Sequence, residues 1–147
     1  MDVDGLWPRK LRLLFYDIET APMLAFVWQQ KADWIPHNQI VTEKFMLAWS
    51  AKFSDDDKVH SAVLNGAEAK AQDDSRIVKS LAELVKQADY IVAHNGDRFD
   101  LPTMNGRLLL NQLDPLGDVQ TIDTLKIARQ SFNLTSNRLD YLAKRLD

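Results

Sequence analysis

Two carboxylates one residue apart, Asp17 and Glu19, close an apolar run, Leu-Arg-Leu-Leu-Phe-Tyr-Asp-Ile-Glu-Thr, that covers residues 11–20. The run reads as a buried strand. Because side chains alternate across a strand, Asp17 and Glu19 point to one face and Ile18 into the opposite layer. Two like charges so placed repel each other, and a divalent cation or a shared proton relieves the repulsion. An isolated Asp-x-Glu also fits a solvated strand end, and the pattern is short enough for that reading to prevail on its own.

A second acidic motif lies downstream. Residues 90–93 are short and fully apolar, expected as a central strand parallel to the first. They open onto His94-Asn95-Gly96-Asp97-Arg98-Phe99-Asp100-Leu101-Pro102. Loops at the C-terminal ends of parallel strands are where open α/β sheets place their sites. Asp100 stands just before a helix expected over residues 101–111, with Pro102 tolerated in its first turn; a helix cap is the ordinary role of an aspartate there. His94 reads as a hydrogen-bonded structural residue and is left out of the ligand set. Asn95 and Phe99 are better placed for substrate, since an amide bonds phosphate, sugar or base and a ring wedges against a terminal base; both could equally just shape the loop. Asp123 ends a later strand much as Asp17 ends the first, although a cap or loop-bracing role suits it better than a ligand role. Asp55-Asp56-Asp57 reads as a solvated turn, because consecutive carboxylates do not converge on one ion without a returning loop.

The elements that must position these groups follow from composition and period. With 147 residues, 46% of them hydrophobic, the chain suits one globular domain over residues 1–147. The absence of cysteine excludes disulfides, thiolate zinc sites and cysteine nucleophiles, leaving carboxylates and three histidines as ligands for a hard metal. No run approaches the roughly 18 apolar residues of a membrane span, so a soluble protein of a bacterial or phage-infected cytoplasm is expected, with no membrane partner. A net charge of −3 argues against binding nucleic acid mainly through a basic surface. Residues 124–147 are the exception: Lys126, Arg129, Arg138, Lys144 and Arg145 face only Asp140 and Asp147. A phosphate backbone could lie along them, or they are exposed helix positions serving solubility.

Residues 1–10 read as a loose lead-in from which Trp7 tucks onto the body. Residues 21–38 have no sustained period and read as a long loop, whose Phe26, Trp28 and Trp34 pack on the sheet or stack on bases. Residues 39–53 are expected as one strand with Val41, Phe45, Leu47 and Trp49 on one face, and residues 58–64 as the next, ended by an Asn65-Gly66 turn. Ile77, Val78, Leu81, Leu84 and Val85 recur at helical steps and predict a core-facing helix over 73–87, with Asp73, Asp74 and Ser75 at its start. A fifth strand over 118–123, a helix over 124–132 and a last helix over 139–146 complete the chain. The last presents Leu139, Leu142, Ala143 and Leu146 on one face.

Phe15-Tyr16-Asp17-Ile18-Glu19-Thr20, His94 to Pro102, Ile122-Asp123-Thr124-Leu125 and Ser136-Asn137-Arg138-Leu139-Asp140-Tyr141-Leu142 together resemble the DEDD 3′-5′ exonucleases. Within them the chain is most similar to the proofreading exonuclease domains of family B DNA polymerases and their free-standing phage and bacterial relatives. The resemblance runs from Leu11 onward. It implies an α/β, RNase H-like fold: a mixed five-stranded sheet, three antiparallel strands then two parallel ones, with helices on its faces, here C-terminally truncated. It implies that Asp17, Glu19 and Asp100 are three of four carboxylates binding two Mg²⁺ or Mn²⁺ ions. One ion would activate the attacking water and the other stabilise the leaving 3′ oxygen. Thr20 would contact the terminal nucleotide, and Asn95 and Phe99 would hold or separate the last bases of single-stranded DNA, RNA not being excluded.

The family's third motif, a Tyr or His a few residues before a fourth metal-binding Asp, is expected beyond residue 147, and Asp140 is not promoted in its place. Without the base-positioning residue the rate should fall by about 10²–10⁴-fold. Two function classes follow. One is a metal-dependent 3′-5′ exonuclease on single-stranded or frayed DNA ends, completed by a further C-terminal segment, a partner chain or a polymerase. The other is a nucleic-acid-binding module that keeps the fold without turnover. A generic RNase H-like domain used for protein contacts fits the His94 to Pro102 match less well. An exposed sheet flank beside the missing helix could drive association.

Overall fold

Alternation along the first strand sets the two layers of the molecule. In the computed structural model, which describes residues 10–146, β1 (Leu13–Thr20) buries Leu14, Tyr16 and Ile18 and turns Phe15, Asp17 and Glu19 to the other face. The lead-in and Trp7 lie outside the described residues. On one side β1 pairs antiparallel with β4 (Met46–Phe53), which pairs antiparallel with β5 (Val59–Val63). On the other side it pairs parallel with β6 (Tyr90–Ala93), which pairs parallel with β7 (Thr121–Asp123). The spatial order β5-β4-β1-β6-β7 is the mixed sheet of an RNase H-like fold.

Register brings the buried residues together. Leu14, Tyr16 and Ile18 lie opposite Phe53, Ala51 and Trp49, so one face of the sheet is continuously apolar. Helix α2 (Ser75–Val85) lays Ile77, Val78, Leu81, Ala82 and Val85 on that face, and α3 (Asp100–Leu110) adds Met104 and Leu108. The Trp49 indole donates to the Ile77 carbonyl at 2.8 Å, so this large ring is buried without an orphaned N–H.

Several elements differ from the sequence-based expectation. Residues 39–53 are not one strand. A register shift places Thr20 opposite Met46, Phe45 and Met46 are buried in succession, and the chain breaks away before them. The earlier piece, β3 (Ile40–Thr42), pairs with the two-residue β2 (Leu24–Ala25) inside the expected loop. Val41 is therefore exposed and does not share the Trp49 face. Asn65 does not close a turn but caps a helix, α1 (Gly66–Ala71): its side chain accepts from the Ala67 and Glu68 amides, while Glu68 accepts from the Asn65 amide. That reciprocal pair satisfies donors a helix start leaves free. The Asp55 to Asp57 turn is as expected, with Asp55 paired to Arg12 at 3.0 Å and Asp56 accepting from the Lys58 amide.

Helix α4 (Thr124–Ser131) follows β7 and buries Ala128, and α5 (Leu139–Leu146) buries Leu142 alone. Leu139 and Leu146 are exposed, so the apolar face expected of α5 is mostly uncovered. Phe15, Val92 and Ile122 form a row by register on the sheet face opposite the main core. No helix among the described residues is long and apolar enough to cross a membrane.

Candidate functional site

Asp17 and Glu19 stand on the exposed side of β1, and among the described residues neither carboxylate has an ion-pair or hydrogen-bond partner. Burial and the neighbouring Glu19 charge raise the Asp17 pKa above its ordinary value. Asp100 comes to them from the next strand. β6 pairs with β1 only through Leu13, Leu14 and Phe15, so beyond that point the β1 edge has no carbonyl partner. The Ile18 amide, set between the two acids, donates instead to Asp100 Oδ1 at 3.2 Å, which satisfies a backbone group that would otherwise be orphaned. Burial pushes the Asp100 carboxyl up to about 6, with the Asp17 charge adding and the Ile18 amide opposing.

The loop that carries Asp100 is braced from outside the acid set. Asp123 accepts from the amides of Asn95 and Leu125 at 3.0 Å and of Asp97 and Lys126 at 3.3 Å. Burial raises its pKa, yet these amides outweigh burial and hold it below the ordinary carboxylate value. His94 is bonded at both ring nitrogens, Nδ1 to Thr124 Oγ1 at 2.9 Å and Nε2 to the Asn137 carbonyl at 2.8 Å. A carbonyl only accepts, so Nε2 carries the proton and the ring has no free position for a metal. Asn95 adopts φ 73°, in the left-handed region that asparagine tolerates. Next to it, a Cβ on Gly96 would meet the Ala93 Cβ at 2.7 Å, so only glycine lets the loop turn so close to the strand.

Three further groups were not legible in the sequence. The Tyr16 hydroxyl is buried beneath Gly96 with no hydrogen-bond partner among the described residues. Burial and then the charges of Asp100, Asp97, Asp123 and Asp17 raise its pKa, so it stays a protonated donor facing acids. Lys44 sets its Nζ 5.6 Å from the Phe99 ring centre and 3.4 Å from Thr103 Oγ1, beside the candidate nucleotide-binding side chains. Asp74, fully buried, accepts from Met46 N at 2.7 Å, from Arg107 Nε at 2.7 Å and Nη2 at 2.9 Å, and from Asn111 Nδ2 at 2.7 Å. It thereby ties the start of β4, opposite Thr20, to the helix that carries Asp100. Only its partners mark it, and they are distant in sequence.

Thr20 ends β1 half-buried, Asn95 is half-buried in the loop, and Phe99 is exposed at the start of α3. In donor type and charge, Asp17, Glu19 and Asp100 fit a hard divalent cation: all are oxygen donors, and two of them are uncompensated. Their spacing is looser than a ligand cage. Among the described residues, no three His, Cys, Asp or Glu side chains are close enough together to hold a metal ion.

The family model described as the RNase_H superfamily matches residues 41–147. The chain belongs to the RNase_H superfamily. The match takes in Asn95, Phe99 and Asp100 and begins after Asp17 and Glu19. No curated protein matches this superfamily member. Among solved structures, its fold is similar to that of the family B DNA polymerase from the hyperthermophilic archaeon Pyrobaculum calidifontis. The TM-score is 0.66 at 21% identity, over 95% of this chain and 19% of that one. It is also similar to E. coli Exonuclease I in complex with a dT13 oligonucleotide, with a TM-score of 0.61 at 16% identity, over 92% of this chain and 35% of that one. The chain thus spans a minor part of either protein, and at these identities the likeness is one of fold. That fold is the one implied by the sequence resemblance to DEDD-type exonucleases.

Proposed function

We propose that the chain is a metal-dependent 3′-5′ exonuclease acting on single-stranded or frayed DNA ends. The observation that carries the reading is the seat of Asp100 on the Ile18 amide, which brings an acid from the β6 loop to the strand end that carries Asp17 and Glu19. Asp17, Glu19 and Asp100 would hold Mg²⁺ or Mn²⁺, which when bound supplies an activated water and charge stabilisation for the leaving 3′ oxygen. The chain's own residues do the positioning. Thr20 and Asn95 orient the terminal nucleotide, Phe99 offers a ring to its base, and the Lys44 ammonium beside that ring offsets phosphate charge. Asp123 and Gly96 keep the loop between β6 and α3 in one conformation, so little ordering is required when substrate arrives.

The second reading, a nucleic-acid-binding module without turnover, is favoured by the open spacing of the acids. Release of nucleotides from a 5′-labelled single strand with Mg²⁺ or Mn²⁺ separates the two, with Asp17→Ala purified alongside. A ladder shortened from the 3′ end and absent from the variant supports the exonuclease. An intact strand that is still bound supports the binding module.

A further inference from the structure

Helix α4 and the loop after β6 enclose a groove whose charge is opposite to that of the chain as a whole. Two adjoining cavities form it. One, of about 610 Å³, is lined by His94, Asn95, Leu125, Arg129 and Arg138 among others; the next, of about 400 Å³, by Asn95, Arg98, Leu125, Lys126 and Arg129 among others. Asn95, Leu125 and Arg129 line both, so the two are continuous.

The acids within the groove are already engaged. Asp97 pairs with Lys126 at 3.2 Å and Asp140 with Arg138 at 3.3 Å. Asp123 is spent on backbone amides. Arg98 and Arg129 are left exposed, and among the described residues neither guanidinium makes an ion pair or a hydrogen bond. Two unpartnered guanidinium groups flanking one groove, in a chain of net charge −3, leave it locally positive. Guanidinium forks match phosphate oxygens in geometry as well as charge.

We infer that this groove holds the phosphodiester backbone of a single-stranded nucleic acid, with Arg98 and Arg129 as its phosphate contacts. Asn95 joins the groove to the acid site. The polarity of the strand rests on the exonuclease reading: the terminal nucleotide lies toward Asp100, and the phosphates that precede it run along α4. Association by such contacts releases counterions, so affinity falls with salt at about 0.7 logarithmic units per contact for a single strand. The groove thus makes affinity depend on strand length, because a dinucleotide fills the acid site without reaching α4.

The test is fluorescence anisotropy of a labelled oligothymidylate in EDTA across a salt series, using a strand of about 12 nucleotides, within the usual span of about 4–16. The Arg98→Ala/Arg129→Ala double variant should flatten the salt slope by about 1.4, twice the single-contact value. Arg129→Lys should keep the slope, and thermal melting should be unchanged in both, since these side chains are exposed. Hydrolysis of a thymidine dinucleotide with Mn²⁺ should be unchanged in Arg129→Ala, whose substituted side chain lies on α4. Binding with a flattened slope but no hydrolysis by the parent chain keeps the groove and removes the nuclease. Hydrolysis with a slope unaltered in the double variant keeps the nuclease and overturns the groove. Failure of the parent chain to bind the long strand also overturns it.

Discussion

Asp100, at the start of α3, and Asp123, at the end of β7, are both buried aspartates, and their environments drive them in opposite directions. Asp123 accepts from four backbone amides, is held below the ordinary carboxylate pKa, and organises a loop. Asp100 has the Ile18 amide and the charge of Asp17 nearby, and lies at about 6. Burial penalises both charges. Heavier burial, the Asp17 charge and fewer amide donors leave Asp100 with an unmet demand for positive charge, whereas four amides satisfy Asp123 within its own fold. A satisfied acid is structural; an acid left short of a cation fits a site that borrows one. Asp74 extends the comparison. It is the most deeply buried of the three, and Arg107 meets its demand from within the chain.

Breaking the comparison at its strongest point means removing a built-in cation. Arg107→Ala leaves Asp74 charged and unpaired in the core, and should cost about 3–5 kcal/mol in urea unfolding. Asp123→Ala should cost about 1–3 kcal/mol, because amides buried under the loop lose their acceptor.

Asp100→Asn should act in the opposite sense. It keeps an oxygen for the Ile18 amide while removing the charge, so it should abolish nucleotide release yet stabilise the metal-free protein by about 1–3 kcal/mol at pH 8. The sign follows from the pKa. Because the carboxyl is raised from 3.8 to about 6 on folding, its contribution is fully present below pH 3.8 and is lost as pH rises through 6. The gain of the variant should therefore vanish in melts at low pH in EDTA; a gain independent of pH would show that charge is not its cause. The smallest effect belongs to a region with no acid site: Asn65→Ala removes a helix cap and should cost about 0.5–2 kcal/mol with nuclease activity unchanged.

The parts legible in the sequence were those whose cause is local. Alternation over β1 gave the two layers and the shared face of Asp17 and Glu19, and helical spacing gave α2 and its buried side. Asp123 and His94 have the structural roles expected, since a strand-end aspartate before a helix and a histidine in a tight loop find partners close by. Where the cause lies far along the chain, the sequence carries little sign of it. A two-residue β2 has no period to detect, and only its pairing with β3 reveals that residues 39–53 are split. Asn65 is the local exception: three residues before Glu68 it is a capping-box signal, but Asn-Gly is equally a turn signal, and the sequence alone does not choose between them. Tyr16 reads as an ordinary core position, and nothing near it in sequence indicates that its hydroxyl lies under Gly96. Leu139 and Leu146 have the right period, but period does not say whether anything covers them.

We propose that Asp17, Glu19 and Asp100 form a site that takes its positive charge from a divalent cation, whereas Asp123 needs none. Calorimetric titration of Mn²⁺ into the chain at neutral pH tests it most directly, with Asp17→Ala, Asp100→Asn and Asp123→Asn compared under the same conditions. Saturable binding that is lost in the first two variants and kept in the third is expected. No binding to the parent chain, or binding that survives the loss of Asp17 and Asp100, would contradict it.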